Sequence, residues 1–277
     1  MSVEASRYSL FHEENSEALN DLNDTSKQQI EKEIEALSKL EHPNICALVG
    51  WYIRLVPKSP PIAALVTKFY PGGDLFCKVV NEQMSENAIM NIFRKLFDAV
   101  FYIHSKDMIH CDIKLENVVF TSDDTPMLID FGLTDTCNAG TLYYAPPESS
   151  YMIHKGIDIW ALGICLWACL TQNFPWNRAH IICTRYKVVL ALMASKHTSM
   201  CDAIYALNRK ECPFSPNVKH LLDSMLCVDH ENRCTISDLQ HSVGTTDNIS
   251  CDNIKVERNS IKTDCEEKIG KKRMRIV

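Results

Sequence analysis

Within "MIHCDIKLENVVF", Met108 to Phe120, an acid, a base and an amide fall within six positions: Asp112, Lys114 and Asn117. Offsets of two, three and five residues do not align three side chains on one face of a helix or a strand. A polar surface turn would account for Lys114 and Glu116. A second carboxylate changes the reading, because "LIDFG", Leu128 to Gly132, is an apolar strand that delivers Asp130 to a glycine turn. Two carboxylates, an ammonium and an amide provide a proton acceptor, a positive charge and oxygen donors. The interrupted apolar run therefore reads as a catalytic loop.

The elements around that loop follow from periodicity and breakers. "TSKQQIEKEIEALSKL", from Thr25 to Leu40, places Ile30, Ile34, Leu37 and Leu40 on one helical stripe, and "EHPNI" ends it. "CALVGWYIRLV" and "IAALVTKFY" read as strands on either side of the turn-rich "PKSPP". "SENAIMNIFRKLFDAVFYIHSKD" opens on a serine cap and carries Ile89, Ile92, Leu96 and Val100 on one stripe. "NVVF" and "PMLID" suit short strands around "TSDDT", and helical patterning runs from Pro147 to about His241. The tail, 243–277, has few large apolar side chains and is expected to be disordered. Its basic end "KIGKKRMRIV" is read as a solvated tail, with a nuclear-import or acidic-partner signal as the alternative.

Composition bounds the function. Hydrophobic residues make up 46% and charged residues 23% of 277, ordinary globular figures. A net charge of −6 gives no general basic face, so no nucleic-acid partner is expected. The longest apolar run, "IWALGICLWACL", is too short to span a bilayer, and no membrane association is expected. Thirteen cysteines sit singly, without a C-x-x-C pair, which argues against zinc or disulfide frameworks. With no basic, apolar leader at the N-terminus, an intracellular, reduced protein is expected, cytoplasmic and/or nuclear. Cys165 and Cys169, one helical turn apart, read as core side chains.

On these residues the chain resembles the eukaryotic protein kinases of serine/threonine type. "HCDIKLEN" is similar to the family's H-R-D-x-x-x-x-N, "DFG" to its magnesium loop and "GTLYYAPPE" to the end of its activation segment. "GIDIWALGI" resembles the helix whose Asp158 holds the catalytic-loop backbone, and "ENRCT" supplies Arg233, the partner of Glu148. The resemblance implies an α+β, bilobal fold. A small β-rich N-lobe over about 1–69 would be incomplete, and a large helical C-lobe would cover about 70–242. It further implies ATP and Mg²⁺, a protein substrate bearing serine or threonine, and roles for individual residues. Asp112 would accept the acceptor hydroxyl's proton, Lys114 would neutralise the γ-phosphate, and Asn117 and Asp130 would bind magnesium. Thr67, the Lys68 carbonyl, Tyr70, Asp74 and Val119 would line the nucleotide site. Asp74 could equally cap a helix. Glu33 would pair with a strand lysine, while His110, Phe131 and Gly132 would shape the loops. "FPWNRAHIICTRYKVV" is similar to segments of the calcium/calmodulin-dependent-kinase-like group. Oligomeric state is not legible.

The departures matter as much. No G-x-G-x-x-G precedes Glu33, and the strand lysine is missing. In "VEASR" an arginine, Arg7, stands in the lysine place 26 residues before Glu33, and a bland surface arginine is the alternative. Cys111 replaces the arginine of H-R-D and is expected to be packed and inert. The resemblance then implies that Thr134 and Thr136 need no activating phosphate. A pseudokinase acting as a binding or scaffold module is the alternative function. A gene model truncated upstream of Met1 is a third expectation.

Overall fold

The computed structural model describes residues 24–54, 62–136, 141–150 and 152–244, and Arg7 and the tail from 245 onward lie outside them. Helix α1 covers Asp24–Ser38, with Ile30 and Leu37 buried and Ile34 partly so as the stripe requires; Leu40, expected on the same stripe, lies two residues past its end and is buried too. Strands β1 (Leu48–Arg54) and β2 (Ile62–Thr67) pair antiparallel, with a register irregularity between Leu48 and Gly50. Strand β1 begins two residues into its apolar run, and β2 ends three residues before its own run does.

Helix α2 (Leu75–Asn81) begins the second lobe, and α3 (Glu86–Ser105) is capped by Ser85, whose side chain accepts from the Ala88 N–H at 3.2 Å. Strands β3 (Val118–Phe120) and β4 (Pro126–Leu128) form a second antiparallel pair. Helix α4 (Gly156–Thr171) is buried at every position from Ile157 to Thr171. A helix apolar on all sides must run through the middle of its lobe. Cys165 and Cys169 pack there as expected. Helices α5 (Thr184–Lys196), α6 (Met200–Leu207), α7 (Pro216–Met225) and α8 (Ile236–Gly244) complete the molecule.

The lobes are tied together behind the catalytic loop. Asn44, only 6% exposed, donates its side-chain amide to the Pro126 carbonyl at 2.9 Å. The Leu128 N–H donates to the Asn44 carbonyl and the Cys46 N–H to the Leu128 carbonyl, at 2.8 and 2.9 Å. His42 stacks on Tyr102 of α3, whose hydroxyl accepts from the Glu41 N–H. The chain after α1 is thus fixed to β4, the strand that leads to Asp130.

The cysteine expectation needs correction. Cys111 is disulfide-bonded, whereas the nine other described cysteines are free. Spacing along the chain cannot reveal a pairing that only the folded path of the loops creates.

Candidate active site

Asp158 fixes the catalytic loop. It is fully buried at the start of α4, and its carboxylate accepts from the His110 N–H, the Cys111 N–H and His104 Nε2, each at 2.9 Å. Burial alone would push its carboxyl up, but the His104 hydrogen bond and charge and the donors from the loop hold it below the usual carboxylate range. His104 was not anticipated from the sequence; it is one more histidine on a helix face until the partner is known. The loop backbone turns sharply here, with Cys111 at φ 65°.

Three of the anticipated residues meet one turn later. The Lys114 ammonium pairs with Asp112 Oδ2, and Asn117 Nδ2 donates to the same oxygen at 3.0 Å and to the Asp112 carbonyl at 2.9 Å. A 3-10 turn over Leu115–Asn117 brings the amide back toward Asp112, which explains a spacing that fits no helix or strand. Asp112 and Asn117 are buried, and Lys114 is partly exposed.

Asp130 arrives from β4. The Ile129 N–H donates to the Asn117 carbonyl at 2.9 Å, setting Asp130 beside the catalytic loop. Its φ of 68° turns the chain out of the strand direction. A Cβ placed on Gly132 would lie 3.3 Å from Glu33 Oε2 and 3.4 Å from Asp130 Oδ1, so both carboxylates border the same glycine. Burial pushes the Cys46 thiol up to about 12, and the Glu33 and Asp130 charges add to the rise against a hydrogen bond from the Asp130 N–H. This thiol, which sequence reading passed over, fills the back of the site as a neutral group. His110 packs on Phe131 with ring centroids 4.7 Å apart, and its Nε2 meets the Ile129 carbonyl.

The residues expected around a nucleotide follow β2. Thr67 and Lys68 are exposed, and the Lys68 N–H donates to the Ala47 carbonyl at 3.4 Å. Tyr70 is half-buried, and its phenol is pushed up by burial. Asp74 serves as the cap of α2, accepting from the Cys77 N–H at 2.7 Å, so one of its two oxygens is already engaged. It also bridges to Val119 on β3. The Gly72 N–H donates to the Phe120 carbonyl at 2.8 Å and the Phe120 N–H to the Gly73 carbonyl at 2.9 Å, which seats this turn on β3.

The donor set suits a magnesium triphosphate. Asn117 spends its amide nitrogen on Asp112, which leaves its oxygen as the atom able to face a cation. Among the described residues no group of three or more His, Cys, Asp or Glu could hold a metal ion. A magnesium ion held by Asn117 and Asp130 would complete its shell with water and phosphate oxygens, its ordinary habit.

On the other side of Asp112 the segment after Gly140 is locked to the helical lobe. Glu148 and Arg233, 1% and 5% exposed, form a two-pronged pair at 2.5 and 3.2 Å. Arg233 also donates to the Gly156 and Cys227 carbonyls and stacks over Trp160. The Tyr144 hydroxyl donates to Glu116 Oε2 at 3.1 Å, giving Glu116 an internal role that a surface-turn reading misses. Thr134 and Thr136 donate their hydroxyls to the Phe131 and Leu133 carbonyls, at 2.7 and 2.8 Å.

Comparison with known proteins agrees with this geometry. Residues 15–243 match the family model described as protein kinase domain. The chain is 30% identical over 235 residues to CBL-interacting serine/threonine-protein kinase 2 of Arabidopsis thaliana, covering 78% of this chain and 46% of that protein. It is 28% identical to maternal embryonic leucine zipper kinase of Xenopus laevis, covering 80% of this chain and 33% of that protein. Against probable serine/threonine-protein kinase MARK-C of Dictyostelium discoideum it is 25% identical, covering 80% and 28%. The chain spans less than half the length of each of these relatives.

Proposed function

We propose, from the premise that this chain belongs to the protein kinase family, that it transfers the γ-phosphoryl group of ATP to a serine or threonine hydroxyl of a protein. The observation that carries this reading is the convergence of Lys114 and Asn117 on one oxygen of Asp112, with Asp130 held beside them through Ile129. Nucleotide-bound magnesium supplies positive charge against the charge that builds up during transfer. The chain's own groups do the rest. Asp112 Oδ1 is the oxygen left to orient and deprotonate the incoming hydroxyl, because Oδ2 is occupied. Lys114, within reach of the same point, neutralises the phosphoryl oxygens. Asn117 and Asp130 present oxygens toward the nucleotide, and Asp158 keeps the loop from relaxing. Lysine at position 114 is the serine/threonine pattern.

A pseudokinase is the second reading, favoured by the missing G-x-G-x-x-G and strand lysine. A scaffold of this kind would bind without efficient transfer. Transfer from labelled ATP, compared between the natural chain and Asp112→Asn, separates the two. The kinase reading expects incorporation that the substitution removes. Magnesium-dependent stabilisation by ATP, about 2.7 kcal/mol at a hundred times the dissociation constant, is expected on the kinase reading. No thermal shift with Mg²⁺ and ATP would defeat it. An intracellular, cytoplasmic and/or nuclear location is part of the proposal, supported by nine free cysteines among the described residues, with Cys111 as the exception there.

A further inference from the structure

Beside Asp112 lies a cavity of about 260 Å³ that the nucleotide-side residues do not line. Its walls are Asp112, the segment that follows Gly140, the start of α4 and the turn between α4 and α5. Leu142, Pro146 and Ile157 are among its apolar lining residues, and Arg178 and His180 line it as well. Asp112 is the one carboxylate among its described lining residues, and that charge is already met by Lys114. The balance of the cavity is therefore positive.

Arg178 is the source of that balance. Lys78 is paired with Asp124 and Lys155 with Asp107, whereas Arg178 makes no ion pair among the described residues. It is exposed, yet its backbone is not free to wander. Trp176 is buried between Trp160 and Tyr186, with ring centroids 5.9 and 4.8 Å apart, and Ala179 is 2% exposed. The His180 N–H closes the turn on the Arg178 carbonyl at 2.9 Å. A backbone anchored by Trp176 and Ala179 roots the Arg178 side chain at the cavity wall, so only its own rotamers need ordering to use it.

We propose that this cavity selects acceptor segments with an acidic or phosphorylated side chain close to the acceptor hydroxyl, and that Arg178 is the residue that reads it. The inference rests on the kinase reading for the identity of the acceptor, and on the cavity's charge for its preference. A space of this volume is on the order of 6 Å across, about two residues of extended chain. The acidic side chain therefore sits one to two residues from the serine or threonine, next to an apolar side chain that meets Leu142 and Pro146.

The test uses serine peptides that differ only in carrying Asp, Ala or Lys at each neighbouring position. Binding is read by fluorescence anisotropy and transfer by labelled ATP, with the full chain and its Arg178→Ala and Arg178→Glu variants. A lysine at the end of α5, changed as Lys196→Ala, serves as the charge control. The Asp peptide should bind about five-fold or more tightly than the Ala peptide. Arg178→Ala should erase that difference, Arg178→Glu should turn it toward the Lys peptide, and Lys196→Ala should keep it. Equal binding of Asp and Ala peptides, or a preference that survives Arg178→Ala, overturns the proposal. Binding discrimination without any phosphate transfer sinks the kinase reading and leaves the preference standing; transfer without discrimination does the reverse.

Discussion

Asp158 never reaches the cavity beside Asp112, yet it decides whether the catalytic loop has a shape. Three donors converge on its carboxylate, and removing the charge leaves two backbone N–H groups and His104 poorly matched. Asp158→Asn should cost on the order of 3 kcal/mol, read from urea unfolding at neutral pH. Its folded-state carboxyl lies below the unfolded value of about 3.9, so the charged form is the one the fold favours. That contribution is complete above about pH 4 and is lost as the pH falls toward the folded-state value. The natural chain should therefore lose stability across that acid window more steeply than Asp158→Asn, and identical acid profiles would contradict the account. At this scale the residues singled out by motif letters do come together: Lys114 and Asn117 meet Asp112, Asp130 lies beside them through Ile129, Asp158 holds the loop and Glu148 pairs with Arg233. The sequence was silent on His104, Glu116 and Arg178. The partners of His104 and Glu116 lie tens of residues away in sequence, Arg178 is set against its cavity only by the fold, and a polar side chain on a helix face or turn carries no sign of what it will meet.

Elements were legible to the extent that their periodicity was strong. The stripe of α3 and its serine cap emerge as read and that of α1 as far as Leu37, while the apolar run of β1 begins two residues ahead of the paired segment and the run of β2 continues past it to Tyr70. The turn "PGGDLF" reads from sequence only as a break. In the structure it is a seat for β3, and Gly72 is the residue that permits it. A Cβ there would meet Phe120 Cβ and the Thr121 carbonyl at 2.7 Å, and a backbone oxygen cannot swing aside. Gly72→Ala should lift the turn from β3, at about 1–3 kcal/mol in urea unfolding, and should weaken ATP binding because Tyr70 and Asp74 flank it. An unchanged unfolding midpoint would show that the turn is not seated as described. The same docking gives Asp74 its cap, which is why a carboxylate that letters alone leave open between ribose and helix has one oxygen already spent.

For the molecule as a whole, a strand pair with one helix sits on a helical lobe, and the candidate site lies where β4 meets the loop that carries Asp112. The order of the lobes was visible in the change of texture after "PGGDLF". The Cys111 disulfide was not, because thirteen single cysteines give no pairing until loops are folded. The family's phosphate-covering loop is missing from the sequence, so the arrangement around Asp112 carries the proposal of transfer by itself. The most direct measurement is the rate of phosphate incorporation into a serine peptide at matched ATP occupancy, for the natural chain and for Asp112→Asn. The account predicts that the natural chain is faster by at least about a hundred-fold. Equal rates, or no incorporation by either protein, would contradict it.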